Sequence, residues 1–244
     1  MEIIAACHVH SDWSYDGSWP LKSLRDRFQR RGDRVLLMTE HDRGFTVRRF
    51  SEYRAACAEA SSRQILIVPG IEYSDKDNRV HVLVWGAPFL GEGLPTGEML
   101  EAVRAANGVA VLAHPSRKQV WRDFVPYWAD RLLGVEAWNR KYDGWSPSNT
   151  APMLLQSPKL IPFAGLDFHT DRQSFPLAMA LDLPGAVTEE EVFACLRSRS
   201  CSARAFGIPL DHNLLRSSMP VLGAAEQGRR KVASIVRSAK ALTR

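Results

Sequence analysis

Apolar residues along this chain gather into seven short runs, and most neighbouring runs are separated by segments whose apolar positions recur at helical spacing. The runs are EIIAACHVH, RVLLMTEHD, ILIVPG with Glu72 just beyond it, HVLVWG, VAVLAHP, GVEAWN and LIPFAGLDFH. Short, apolar and bounded by turn residues, each predicts a strand. Helices are predicted over 21–31, with Leu21, Leu24 and Phe28 on one face, and over 47–61, with Phe50, Tyr53, Ala56 and Cys57 on one face. Further helices are predicted over 97–107, stopped by Gly108, and over 121–132 and 151–156. This β/α alternation implies parallel strands with right-handed crossovers. Residues 140–150 (RKYDGWSPSNT) form the one long irregular stretch, and they follow a strand directly, as an active-site loop would. Beyond the seventh run, LAMALDLP predicts another strand, and Thr188 starts a helix with Glu191 in the capping-box position.

Polar chemistry is concentrated at the ends of these runs. His8, His10, His41, His81, His114 and His169 all stand where a run begins or ends, and only His212 falls outside the pattern. Glu72 and Asp167 share those positions. On a strand, residues i and i+2 face the same side, so His8 and His10 can meet one ion, and Asp167 with His169 repeats the spacing. A carboxylate can bridge two ions whereas an imidazole nitrogen holds one, which makes Glu72 and Asp167 the natural bridges. A mixed imidazole and carboxylate shell suits Zn, Mn or Fe rather than Mg or Ca.

Composition narrows the setting. The chain has 244 residues, 45% hydrophobic and 24% charged, as in ordinary globular proteins of one large or two small domains. Cys7, Cys57, Cys195 and Cys201 show no paired spacing and read as reduced thiols. With no basic segment leading into a long apolar stretch, and no run long enough to span a bilayer, a cytoplasmic location is expected and no membrane span. The net charge of +5 is unevenly placed: residues 213–244 carry seven Lys/Arg and one acid, while residues 1–212 hold 25 basic and 26 acidic groups. The expected division is thus a catalytic body over 1–212 and a basic helical tail over 213–244. In that tail Val232, Ile235, Val236, Ala239 and Leu242 form an apolar stripe that would dock on the body, the alternative being contact with nucleic acid or anionic lipid. A uniformly basic nucleic-acid groove is not supported, so nucleic acid is the less favoured partner.

Taken in order, HVHSDWSYDGS, TEHD, PGIEYS, HVLVWG, AHP and GLDFH resemble the PHP (polymerase and histidinol phosphatase) superfamily over roughly residues 1–205. The resemblance implies an α/β fold, a distorted (β/α)7 TIM-like barrel with three divalent metal ions at the C-terminal mouth of its strands. It implies one ion held by His8, His10, Glu72 and Asp167. A second would take Asp16, His41, His169 and a share of Asp167, and a third Glu72, His81 and His114. Only 33 positions separate His81 from His114, so the helical insertion of many nucleotide-acting members is absent, as is any polymerase region. A stand-alone phosphoesterase is implied.

Ions held about 3.5–4 Å apart share a hydroxide and clamp a phosphoryl oxygen. The expected reaction is therefore in-line attack of a metal-bridged hydroxide on a phosphomonoester, with a nucleotide or sugar phosphate among possible small substrates. Arg117 is the expected phosphate clamp because guanidinium matches phosphate geometry, with Lys118 and Arg43 as weaker candidates. Asp42 would protonate the leaving oxygen or accept a hydrogen bond from His41. Asn139 and Arg140 are expected to line the pocket, and Trp13, Tyr15, Trp138, Tyr142 and Trp145 would stack on a ring or pack locally. Ser11 and Ser116 read as supporting or capping groups. The same metal site could serve a nuclease, a protein-tyrosine phosphatase or an amide or ester hydrolase, or stabilise a non-catalytic module.

Overall fold

All seven apolar runs become strands in the computed structural model, which describes residues 1–148, 156–157 and 159–242. The first is β1 (Glu2–Val9). The second run breaks at Thr39 into β2 (Val35–Met38) and β3 (Glu40–His41). The third breaks at Pro69, which has no N–H to donate, into β4 (Leu66–Val68) and β5 (Gly70–Ser74). The others form β6 (His81–Trp85), β7 (Val109–Leu112), β8 (Gly134–Asn139) and β9 (Ile161–Gly165). LAMALDLP supplies β10 (Leu177–Asp182), followed by the unexpected β11 (Cys201–Ala205) and β12 (Ile208–Pro209).

These strands make a mixed α/β fold with two six-stranded sheets, ordered β12-β11-β10-β1-β2-β4 and β3-β5-β6-β7-β8-β9. Because β2 runs into β3 and β4 into β5, the sheets share continuous chain on one side. On the other, the N–H groups of Leu166 and Phe168, beyond β9, donate to the Cys7 and His8 carbonyls at 2.9 and 3.0 Å. The expectation of parallel strands throughout fails at two places. β6 is antiparallel to both β5 and β7, since residues 75–80 turn the chain back without a crossover helix, and β10 is antiparallel to β1.

The helices follow their apolar stripes. α1 (Leu21–Arg31) buries Leu21, Leu24 and Phe28 and ends at Gly32, whose φ of 98° is left-handed. α2 (Val47–Ala60) starts where the Thr46 hydroxyl accepts the Arg49 N–H. α3 (Thr96–Ala105) connects β6 to β7. The helix expected over 121–132 does not form as one element. A 3-10 segment (Arg117–Arg122) is followed only by α4 (Pro126–Ala129), because Pro126 can open a helix but cannot sit inside one. The expected irregular stretch begins with a short helix instead, α5 (Arg140–Asp143), capped by the Asn139 side chain accepting from Lys141 and Tyr142 N–H. The helix expected over 151–156 falls almost wholly outside the described residues.

α6 (Glu189–Arg197) starts at Thr188, whose hydroxyl accepts the Glu191 N–H. The tail is α7 (His212–Leu242) with Pro220 inside it. Val232 is 61% exposed, and the rest of its predicted stripe lies outside the described side chains. Among the described side chains α7 is held by Leu215, fully buried in the core, by Leu222 packed against it, and by Glu226, which is 5% exposed and accepts the Trp145 N–H at 3.1 Å. Gly144 permits the approach, for a Cβ there would stand 2.3 Å from the Glu226 carboxylate.

Candidate metal centre

Three carboxylates organise the six strand-end histidines. His8 Nε2 and His10 Nε2, at the end of β1, lie 3.4 and 3.5 Å from Glu72 Oε2 on β5, and 3.7 and 3.6 Å from Asp167 Oδ1 beyond β9. Simple strand alternation does not produce this convergence. The β1–β2 register shifts between Cys7 and Val9, and His8 has φ of 62°. The bulge re-aims the imidazole.

The other face of Glu72 meets a second pair, with His81 Nδ1 2.6 Å and His114 Nε2 2.8 Å from Oε1. His81 opens β6 rather than closing it, and it reaches the same mouth because that strand runs backwards. Around Asp16, in the loop after β1, His169 Nε2 lies at 3.0 Å and His41 Nε2 at 3.4 Å. His169 Nδ1 is 3.3 Å from Asp167 Oδ1, and His41 Nδ1 is 3.1 Å from Glu72 Oε2. The structure thus brings all nine expected ligand residues into one cluster.

The donor set fits divalent ions on its own terms. Among the described residues, donor atoms lie within 4.8 Å of one another in four triads: His8/His10/Glu72, His8/His114/Asp167, Glu72/His81/His114 and His10/His41/His169. Nε2 of His8, His10 and His41 and Oε2 of Glu72 are buried without a hydrogen-bond partner. Buried polar atoms are nearly always paired, and a shared cation is the partner that suits lone pairs facing one another. His10 is held neutral, with its pKa well below the usual value through burial and the neighbouring His41 and His169. His114 and Asp167, like His8, have positive φ (25° and 49°), a left-handed backbone that costs on the order of 1–3 kcal/mol outside glycine and gathers at functional sites.

Sequence reasoning missed the residues that hold this cluster. Glu136, fully buried on β8, accepts from His8 Nδ1 at 2.8 Å, from the His114 N–H at 2.7 Å and from Asn139 Nδ2 at 2.8 Å. Such a carboxylate fixes the imidazole tautomer and leaves Nε2 as the ligand atom. Gly165 makes room for it, since a Cβ there would overlap Glu136 Oε1 at 1.6 Å. Glu40 is equally buried and accepts from the hydroxyls of Ser11 and Ser14 at 2.6 and 2.5 Å, while Ser14 accepts the His41 N–H at 3.0 Å. Lys141 Nζ lies 3.2 Å from Asp167 Oδ1 and 3.3 Å from His169 Nε2. Burial opposes its charge, yet Asp167 keeps its pKa above the usual lysine value. The signal for both glutamates was an acid inside an otherwise apolar run.

Above the cluster opens a cavity of about 570 Å³ whose wall includes Tyr15, Asp42, Arg43, Lys76, Arg117 and Lys141. Tyr15 stacks on His41 with centroids 5.1 Å apart, and Arg43 covers Tyr15. Asp42 does not serve His41: it accepts the Ser74 N–H at 3.2 Å, and burial pushes its pKa up to about 6. Arg117 reaches the wall with its donors engaged, Nε on the Tyr142 hydroxyl (3.1 Å), Nη1 on the Asn78 carbonyl (3.0 Å) and Nη2 on Asn78 Oδ1 (3.0 Å). Lys118 lies outside this wall, with Nζ on the Asn78 carbonyl at 2.7 Å. Asn139 and Arg140 also lie outside it. The Asn139 amide is consumed by Glu136 and the α5 cap, and the Arg140 guanidinium lies over Phe175. Among the aromatic residues, Tyr142 packs on His114 (4.6 Å), whereas Trp138 is core and donates to the Gly144 carbonyl. Trp13 packs against Phe45 and Tyr53, and Trp145 lies under Arg229.

No family model matches the chain, and a search of curated proteins finds no match. Solved structures do match. A two-domain protein from Bacteroides vulgatus, described as containing a predicted PHP-like metal-dependent phosphoesterase, is 17% identical with a TM-score of 0.65 over 86% of this chain and 66% of its own. PsfC from Pseudomonas syringae is 17% identical with a TM-score of 0.61, covering 95% of this chain and 99% of its own. The lesion-specific endonuclease PfuEndoQ from Pyrococcus furiosus is 15% identical with a TM-score of 0.57, over 81% and 56%. The chain thus spans just under two thirds of the first of these and little more than half of the endonuclease. It has the PHP-like fold that its ordered motifs resemble.

Proposed function

We propose that this chain is a metal-dependent hydrolase acting on phosphomonoesters at a three-ion centre. The observation that carries the reading is the set of partnerless buried imidazole and carboxylate atoms gathered around Glu72 and Asp167, beneath a cavity whose wall sets Arg43, Lys76, Arg117 and Lys141 among the carboxylates Asp16, Asp42, Asp75 and Glu92. His8, His10, Glu72 and Asp167 would hold one ion, Asp16, His41, His169 and Asp167 a second, and Glu72, His81 and His114 a third. When bound, such ions supply Lewis acidity and bring the pKa of water towards neutrality. Zn, Mn and Fe suit the donors. We also read the seven strands β1 to β9, counting the broken ones once, as a distorted barrel, supported by the bonds that join the end of β1 to residues 166–168.

The chain's own residues complete the chemistry. Lys141 and Arg43 place positive charge where a phosphate would enter, and Arg117 holds the Asn78 turn and Tyr142 at the rim. The Asp42 carboxyl, partly protonated near neutral pH, can give its proton to a leaving oxygen. The similarity to a PHP-like phosphoesterase supports phosphoester chemistry, and the endonuclease similarity supports the runner-up, cleavage of a nucleic-acid phosphodiester. The test is phosphate release from a panel of phosphomonoesters by the Mn- or Zn-loaded protein, run beside an oligonucleotide and an aryl carboxylic ester. Phosphate release that chelation abolishes is expected. Cleavage of the oligonucleotide or carboxylic ester alone would overturn the phosphomonoester reading.

A further inference from the structure

A second cavity, of about 310 Å³, lies between the α5 turn and the C-terminal helix and is lined by Lys141, Tyr142, Gly144, Arg229, Arg230 and Ala233. It shares Lys141 and Tyr142 with the metal cavity, so one lysine faces both spaces. Its lining contains three cations and no carboxylate. Arg140 adds a fourth cation nearby, since burial and the charge of Arg229 both lower its pKa. Two carboxylates answer these charges. Glu226 accepts from Arg229 Nε and Nη2 at 2.7 and 2.6 Å and from Arg230 Nε at 2.6 Å, and Asp167 accepts from Lys141. Arg230 Nη2 donates to the Tyr142 carbonyl at 3.2 Å, and the Nη1 groups of both arginines remain outside these bonds. Asp167, moreover, belongs to the metal cluster. Like charges crowded around a concave space are unfavourable unless an anion enters it, and guanidinium is suited to phosphate and carboxylate.

We propose that this cavity is a second anion subsite, in which Arg229, Arg230 and Lys141 bind a further phosphate or carboxylate group of the substrate whose scissile phosphate meets the metal cluster. The inference rests on the phosphoesterase reading and narrows it to esters carrying two anionic groups. The C-terminal helix thereby becomes part of the substrate site. A substrate with one anionic group would leave this cavity without an anion.

The test compares wild type with Arg230→Gln and Arg229→Gln, each of which keeps a side-chain donor for Glu226. Mn-loaded protein is given a sugar bisphosphate, the matching sugar monophosphate and a phosphoglycerate. Losing one charge-assisted contact should raise KM for the bisphosphate relative to the monophosphate by roughly tenfold. A matching rise for phosphoglycerate would show that the subsite accepts any anion, and a rise for the bisphosphate alone that it selects phosphate. An unchanged ratio would overturn the subsite. Should no ester be hydrolysed, the phosphatase reading fails separately, and calorimetric titration with the bisphosphate still decides. Affinity weakened roughly tenfold in the variants supports the subsite, and equal affinity refutes it.

Discussion

A buried acid that no ligand pattern marks decides how well the histidines are aimed. Glu136 uses both oxygens, one on His8 and the other on the His114 N–H and the Asn139 amide. Glu136→Gln would turn an NH₂ towards donors and loosen His8. Metal affinity should fall roughly 10–100-fold, read by chelator competition, and an unchanged affinity would deny Glu136 this role. Asp143 supplies a pH-dependent term. Burial pushes its pKa up to about 7, while it accepts from Ser116 Oγ at 2.6 Å and the Asn139 N–H at 2.7 Å. The folded state therefore holds a proton that the unfolded chain releases near pH 4, so this contribution to stability is present at low pH and lost as pH rises from about 4 to 7. Asp143→Asn can donate to Ser116 while accepting from Asn139. Urea melts at pH 5 and pH 8 should differ less for the variant than for wild type, and an equal difference would remove Asp143 as the cause.

At the scale of elements, strand positions were legible because apolar runs bounded by turn residues have few alternatives. Strand direction was not. Period and length are the same for a parallel and an antiparallel strand, so the reversal of β6 could not be read from HVLVWG. The helix expected over 121–132 failed at Pro126, where backbone chemistry outweighs an apolar stripe. Glu40 and Glu136 were hidden because each interrupts a run read for its apolar neighbours. Nor did the predicted stripe reveal how α7 docks, for among described side chains the contacts are Leu215 in the core, Leu222 against it, and the polar link through Glu226. Although burial opposes its charge, Arg229 and Arg230 bring the Glu226 carboxyl down to about 2. Docking should hold above the ordinary glutamate pKa near 4.3 and weaken as pH falls towards 2. Glu226→Ala should release the helix at any pH, exposing the Arg229 and Arg230 bonds to trypsin. Cleavage no faster than in wild type would show that another contact holds it.

Across the whole molecule, the candidate site was more legible than the architecture that presents it. All nine candidate ligand residues stood out as imidazoles and carboxylates near strand ends or within ordered motifs, because metal chemistry tolerates few side-chain types. Their convergence depends on features that no pattern announces: the bulge at His8, the positive φ of His114 and Asp167, the reversed β6 and the joining of residues 166–168 to β1. Candidate substrate-binding residues were the least legible, since a surface arginine looks the same whether it would meet a phosphate or, like Arg117, ties down a turn. The most direct measurement is metal content by plasma mass spectrometry on protein equilibrated with Mn or Zn and freed of excess ion. A three-ion centre predicts about three ions per chain in wild type and about two in His114→Ala, with the fold retained. One ion or fewer in wild type, or the same content in both proteins, would contradict it.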